Sequence, residues 1–165
     1  MKATKKISAT RLRELVKYDP ETGLLTWLQH RWPRYIGTVA TMRANTGYIV
    51  LNLDRKLYSV HRLAWLYVHG EWPNHEIDHI NGNRGDNRLC NLRDVPRSHN
   101  NQNRRRPGVN NTSGYLGVTK SESGKWRSMI KANGKRIYLG THSTPELAYQ
   151  AYVDAKRQLH PAGQL

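Results

Sequence analysis

Cysteine is almost missing. Cys90 stands alone, which excludes an intramolecular disulfide and any multi-cysteine zinc site, and fits a reducing cytoplasm. No apolar run approaches the ~20 residues a membrane-crossing helix needs. The first ten residues carry lysines with no apolar stretch behind them, so they do not read as a secretory signal. Acidic side chains are scarce as well, 12 Asp and Glu against 27 Lys and Arg, for a formal net charge of +15. An excess of that size points to a polyanionic partner, nucleic acid first.

The charge is uneven. Residues 1–60 carry 11 basic and 4 acidic side chains, residues 61–103 carry 5 of each, and residues 104–165 carry 11 and 3. Two basic flanks therefore enclose a neutral centre. Flanks of this kind suit phosphate contacts, and the central carboxylates are left for another task.

Local patterns divide the chain further. Leu12, Leu15 and Val16 share one helical face over residues 10–17, with Ser8 or Thr10 as a cap. A turn at Asp19-Pro20-Glu21-Thr22-Gly23 precedes a strand over 24–28. Residues 47–60 read as a hairpin around Asp54-Arg55-Lys56, and His61–His69 as a short apolar helix stopped by Gly70 and Pro73. The run Arg104-Arg105-Arg106-Pro107-Gly108 through Ser113-Gly114 reads as a linker. Beyond it, strands are predicted over 115–119, 125–132 and 136–140, the last two joined at Asn133-Gly134. Thr144-Pro145-Glu146 then opens a helix whose apolar stripe is Leu147, Ala148, Ala151, Tyr152 and Ala155.

The centre holds the most specific pattern. Asp78-His79 is followed by Asn91-Leu92, twelve residues after the histidine, and by Asn100 nine residues further on. Over about 61–104 this resembles the HNH nuclease family, in its phage and intron-encoded branch. The resemblance implies a ββα-metal fold, with His79 ending the first strand, Asn91 in the turn or second strand, and Asn100 on the helix that follows. It implies Asp78 and Asn100 as metal ligands, spacing favouring Asn100 over the neighbouring His99. It implies His79 as general base and Asn91 as the residue that steadies the loop carrying the base. The chemistry is coherent on its own terms. Phosphodiester hydrolysis needs a base for the attacking water and a cation beside the leaving oxygen. A neutral imidazole can be that base at physiological pH, and an Asp with an Asn supplies hard oxygens of the kind Mg²⁺ or Mn²⁺ takes. One ion per site and no structural zinc is the expectation. Arg84, Arg88, Arg97 and Arg104 are candidate phosphate contacts. Asn83, Asp86 and Asn87 are expected to shape the loop through local bonds, and His61 and Trp65 to pack.

The C-terminal segments Tyr115-Leu-Gly-Val-Thr119, Gly124-Lys-Trp-Arg127 and Gly134-Lys-Arg-Ile-Tyr-Leu-Gly-Thr141, with the helix to about 158, resemble the APETALA2 DNA-binding domain of plant ethylene-response factors. That resemblance implies a three-stranded sheet laid in the DNA major groove with the helix behind. Arg127, Lys131, Arg136, Tyr138 and Thr141 would face DNA. Leu116, Thr119 and Ser121 stand where the plant proteins carry arginines, and Met129 where they carry an acid, so the plant target sequence does not transfer.

The expectation is therefore an α+β protein: an N-terminal β-rich region (1–60), a ββα-metal nuclease core (61–104), a linker (105–114), and a three-stranded antiparallel sheet with one packed helix (115–165). The partner would be double-stranded DNA and not a membrane, met as monomer or dimer, in a bacterial host cytoplasm if phage-encoded. Homing follows as a family-level expectation. The alternatives are a non-catalytic DNA-binding regulator that retains the HNH shell, an RNA-directed or repair nuclease, and a C-terminal module that docks protein.

Overall fold

The computed structural model describes residues 6–40, 42–102, 107–108 and 110–160. The chain forms two compact units, Met1–Val95 and Pro96–Leu165. Small antiparallel sheets and short helices make up both, a mixed α and β architecture.

The first unit opens with α1 (Ala9–Leu15), where the Ser8 hydroxyl accepts from the Arg11 amide at 3.1 Å. The helix stops two residues earlier than its apolar face suggests. Val16 begins β1 (Val16–Asp19), which pairs with β2 (Leu24–Trp27). Between them Asp19 ties the turn, its carboxylate accepting from the Glu21 amide at 3.0 Å and the Thr22 hydroxyl at 2.8 Å. A second sheet runs β3 (Met42–Arg43), β4 (Ile49–Leu53), β5 (Lys56–Ser59). Its hairpin places Asp54 and Arg55 at φ 47° and 65°, the two positive angles that a two-residue primed turn requires. Then come α2 (Val60–His69), capped by left-handed Gly70, and the pair β6 (Glu76–His79) and β7 (Leu92–Val95).

A boundary after residue 60 is not where the chain divides. Leu12, Val16, Leu25 and Leu53 bury together with Leu63, Leu66, Ile77 and Leu92 in one core. The halves were legible separately because each carries its own amphipathic pattern. Neither has enough apolar surface to close a core alone, so they share one.

The second unit begins with α3 (Arg97–Gln102). Its sheet has the order β10–β9–β8, from β8 (Val118–Lys120), β9 (Trp126–Ala132) and β10 (Lys135–His142), all antiparallel. The helix α4 (Pro145–Leu159) starts with the Thr144 hydroxyl accepting from the Leu147 amide and packs across all three strands. Val118, Ile130, Ala132 and Ala148 are the buried apolar contacts. Two expectations need correction. Leu147 is 53% exposed rather than part of the stripe, while Lys156 is buried. Tyr115 precedes the first strand, in a turn where Asn111 and Ser113 donate to the carbonyls of Tyr115 and Val118. Those bonds make this end of the expected linker part of the folded unit. β10 carries a bulge between Tyr138 and Gly140.

Candidate active site

β6 and β7 pair in the register Glu76↔Val95, Ile77↔Asp94, Asp78↔Arg93 and His79↔Leu92. A twelve-residue connection that ends in a 3₁₀ turn (Leu89–Asn91) joins them. Such a loop would be loose without internal bonds, and here the side chains supply them. Asn91 clasps it at two points: its Oδ1 accepts from the Asn81 amide at 2.9 Å, and its Nδ2 donates to the Asp86 carbonyl at 2.8 Å. Asn81 and Asn83 each accept from the amide two residues on, the local pattern that favours Asn in turns. Arg88 donates to both oxygens of Asp86, at 2.8 and 2.7 Å, and holds that carboxyl down to about 2.

His79 closes β6 and is 4% exposed. Its Nε2 lies 3.1 Å from Oδ1 of Asn87, which is itself 2% exposed. The amide Nδ2 of Asn87 points to the Gly85 carbonyl at 3.4 Å, which sets the orientation of the amide. An amide oxygen only accepts, so Nε2 carries the proton and Nδ1 is the basic nitrogen. Burial lowers the His79 pKa below the ordinary histidine value, partly offset by the bond to Asn87. The ring is therefore neutral at physiological pH.

An aromatic nest surrounds it. The His61 ring stands edge-on to His79 at 5.1 Å, and the Tyr48 ring contacts His61 at 5.0 Å and His79 at 5.9 Å. His61 is 7% exposed, and its Nδ1 has no hydrogen-bond partner among the described residues. Burial first, then the positive charges of a protonated His79 and of Arg62, lower its pKa to about 3. The unfolded chain takes up a proton near pH ~6.5 that the folded chain refuses until far lower. This contribution to stability is complete above that pH and declines as pH falls toward 3, at a cost of about 2 kcal/mol by pH ~5. Urea unfolding at pH 7 and 5 should show that loss in the wild type and a flatter dependence in His61→Phe. Equal pH slopes in the two proteins would refute it.

Asp78 is 6% exposed. Its Oδ2 accepts from Arg93 Nε at 3.0 Å and Nη2 at 2.7 Å across the strand pair. Neither Arg93 nor the Asn87–His79 bond figured in the reading of the sequence. The register between β6 and β7 would have exposed the first. Nothing in the spacing marks the second among so many asparagines. Among the described residues no three His, Cys, Asp or Glu side chains form a group that could hold a metal ion. Asn100 lies on α3 at the start of the second unit.

Residues 58–102 match the family model for HNH endonuclease. The HNH segment thus runs from β5 through α2, β6, the Asn-rich loop and β7 to the end of α3, and it includes all four of Asp78, His79, Asn91 and Asn100. The match covers 45 of the 165 residues and supports nuclease activity in general. No curated protein and no solved structure gives a significant match to the chain.

The expected phosphate contacts differ in setting. Within the HNH segment, Arg84 donates to the Thr46 carbonyl at 2.7 Å and lies over the Tyr48 ring at 4.8 Å. Arg88 is committed to Asp86. Both therefore serve the loop's own structure. Arg97 is exposed at the start of α3, and Arg104 lies outside the described residues. Outside the HNH segment, Arg127, Lys131, Arg136, Tyr138 and Thr141 are all exposed. They fall on one face of the sheet, paired Arg136↔Lys131 and Thr141↔Arg127, with Tyr138 opposite Met129. The Tyr138 and Thr141 hydroxyls are 2.6 Å apart.

Proposed function

We propose that this chain is a Mg²⁺- or Mn²⁺-dependent HNH endonuclease that hydrolyses phosphodiester bonds of double-stranded DNA. The observation that carries the reading is His79, buried and neutral, with Nε2 engaged by Asn87. A ring held in that tautomer leaves Nδ1 as the nitrogen able to accept a proton, and general bases of this kind work when neutral at the operating pH. Nδ1 of His79 takes the proton of the water that attacks phosphorus. Asn91 keeps the loop in the shape that presents the base.

Asp78 and Asn100 would hold the cation in a ββα-metal arrangement. A carboxylate and an amide are the hard oxygen donors such an ion prefers, and together they bring one negative charge. When bound, the ion would supply positive charge for the crowded phosphate and the departing 3′ oxygen. Arg93 compensates the buried Asp78 carboxylate across the strands. The C-terminal sheet face, APETALA2-like in its sequence, would add the DNA-holding surface. One active site cuts one strand per encounter, so double-strand cleavage would need a dimer or two events.

Supercoiled plasmid should be nicked with Mg²⁺ and left intact with EDTA, and the new ends should carry 5′ phosphate and 3′ hydroxyl. Equal nicking in EDTA, or 3′ phosphate ends, would sink the mechanism. Intact plasmid under every metal condition would favour the non-catalytic regulator.

A further inference from the structure

The base sits at the end of β6, but the residue that fixes its ring sits in the loop, and that loop is anchored from outside the HNH segment. Asn87 is fully enclosed, and its side chain meets His79 at 3.1 Å. Its backbone carbonyl accepts from the Tyr18 hydroxyl at 2.7 Å in a buried bond that spans 69 residues of chain. Tyr18 is 4% exposed, and burial raises its pKa, so the hydroxyl stays a donor. Beside it, Gly23 has φ +72°, and a Cβ placed there would collide with the Arg88 amide nitrogen and lie 2.5 Å from the Asn87 carbonyl carbon. The turn backbone thus touches the peptide between residues 87 and 88 directly. The Leu89 amide donates to the Pro20 carbonyl at 3.2 Å. Three successive residues of the loop, 87 to 89, are fastened to one turn, 18 to 23.

We propose that Asn87 is a positioning residue for His79 and that the N-terminal turn around Tyr18 and Gly23 holds it in place. The inference rests on the reading of His79 as the base. A free asparagine side chain has two rotatable bonds and many acceptable poses. With its backbone pinned and its surroundings closed, Asn87 has one pose, and that pose selects the Nε2–H form of the imidazole. The β1–β2 hairpin then belongs to the catalytic apparatus although the family match begins at residue 58.

The test uses the full chain with ¹⁵N-labelled histidine. Long-range ¹H–¹⁵N spectra, with His79 assigned by its loss in His79→Ala, should show a single Nε2–H tautomer in the wild type. Asn87→Leu keeps the volume and removes the acceptor. It should give mixed tautomers at His79 and lower the nicking rate by about 10–100-fold, with DNA affinity unchanged. Asn87→Asp keeps an acceptor oxygen and should restore the single tautomer. Tyr18→Phe leaves the shape and removes one anchor. It should produce the same mixture in milder form, even if Asn87→Leu proves too unstable to study. A single Nε2–H tautomer persisting in both Asn87→Leu and Tyr18→Phe would overturn the proposal. So would losses of equal size in Asn87→Leu and Asn87→Asp with unchanged spectra. Failure of the underlying reading looks different. His79→Ala would then nick like wild type while the tautomer still responded to residue 87.

Discussion

His79→Ala should lower Mg²⁺-dependent nicking by about 10²–10⁴-fold, the range a positioned general base contributes, while DNA affinity stays within a factor of about two. The side chain is buried and meets Asn87, His61 and Tyr48, so the variant loses packing as well as a base. Circular dichroism and thermal melting must show that it still folds at the assay temperature. His79→Gln fills more of the space and should be as inactive. If both variants nick at the wild-type rate, the attacking water loses its proton elsewhere. If both lose DNA affinity along with activity, the histidine serves the fold and not the chemistry. Only a loss of rate at preserved affinity matches the role of base.

The second large effect lies in the C-terminal unit. Replacing Arg127, Lys131 and Arg136 together by alanine should weaken double-stranded DNA binding on the order of 10³-fold at physiological salt, if each makes one charge-assisted phosphate bond. The slope of log affinity against log salt should become shallower by about 2.7, three contacts at ~0.9 each. The three side chains are exposed on the face turned away from α4, so melting temperature should hardly move. The two readouts separate a phosphate-binding face from a protein-docking one. Unchanged affinity and slope would assign this face to a different partner.

Much of this was legible in the sequence where a local rule and the tertiary context agree. Asn133-Gly134 forms its hairpin with both residues at positive φ. Gly70 ends α2, and Thr144-Pro145 begins α4. The order of elements around Asp78, His79, Asn91 and Asn100 follows the spacing: strand end, 3₁₀ turn, strand, helix. Three things were hidden. Val16 fits the helical face of α1, yet it pairs with Trp27 as strand, because strand pairing is a long-range contact that helical periodicity cannot see. The core shared by residues on both sides of residue 60 was not visible because shared burial has no local signature. Asn87 was read as a loop-shaping residue, although its backbone and side chain each reach a distant partner, Tyr18 and His79.

The bulge in β10 has a consequence for reading this kind of strand. In a regular strand, residues 138 and 141 are an odd number of positions apart and face opposite ways. The extra residue opposite Ser128 slips the phase by one step, so Tyr138 and Thr141 come out on the same side, opposite Met129 and Arg127. A strict every-second-residue rule would have turned Thr141 inward. Deleting Leu139 would remove the bulge yet leave Tyr138 and Thr141 two positions apart, so a regular strand of that shorter length would keep the hydroxyls and cations on one side as well; the bulge is what lets the longer strand present them as one set.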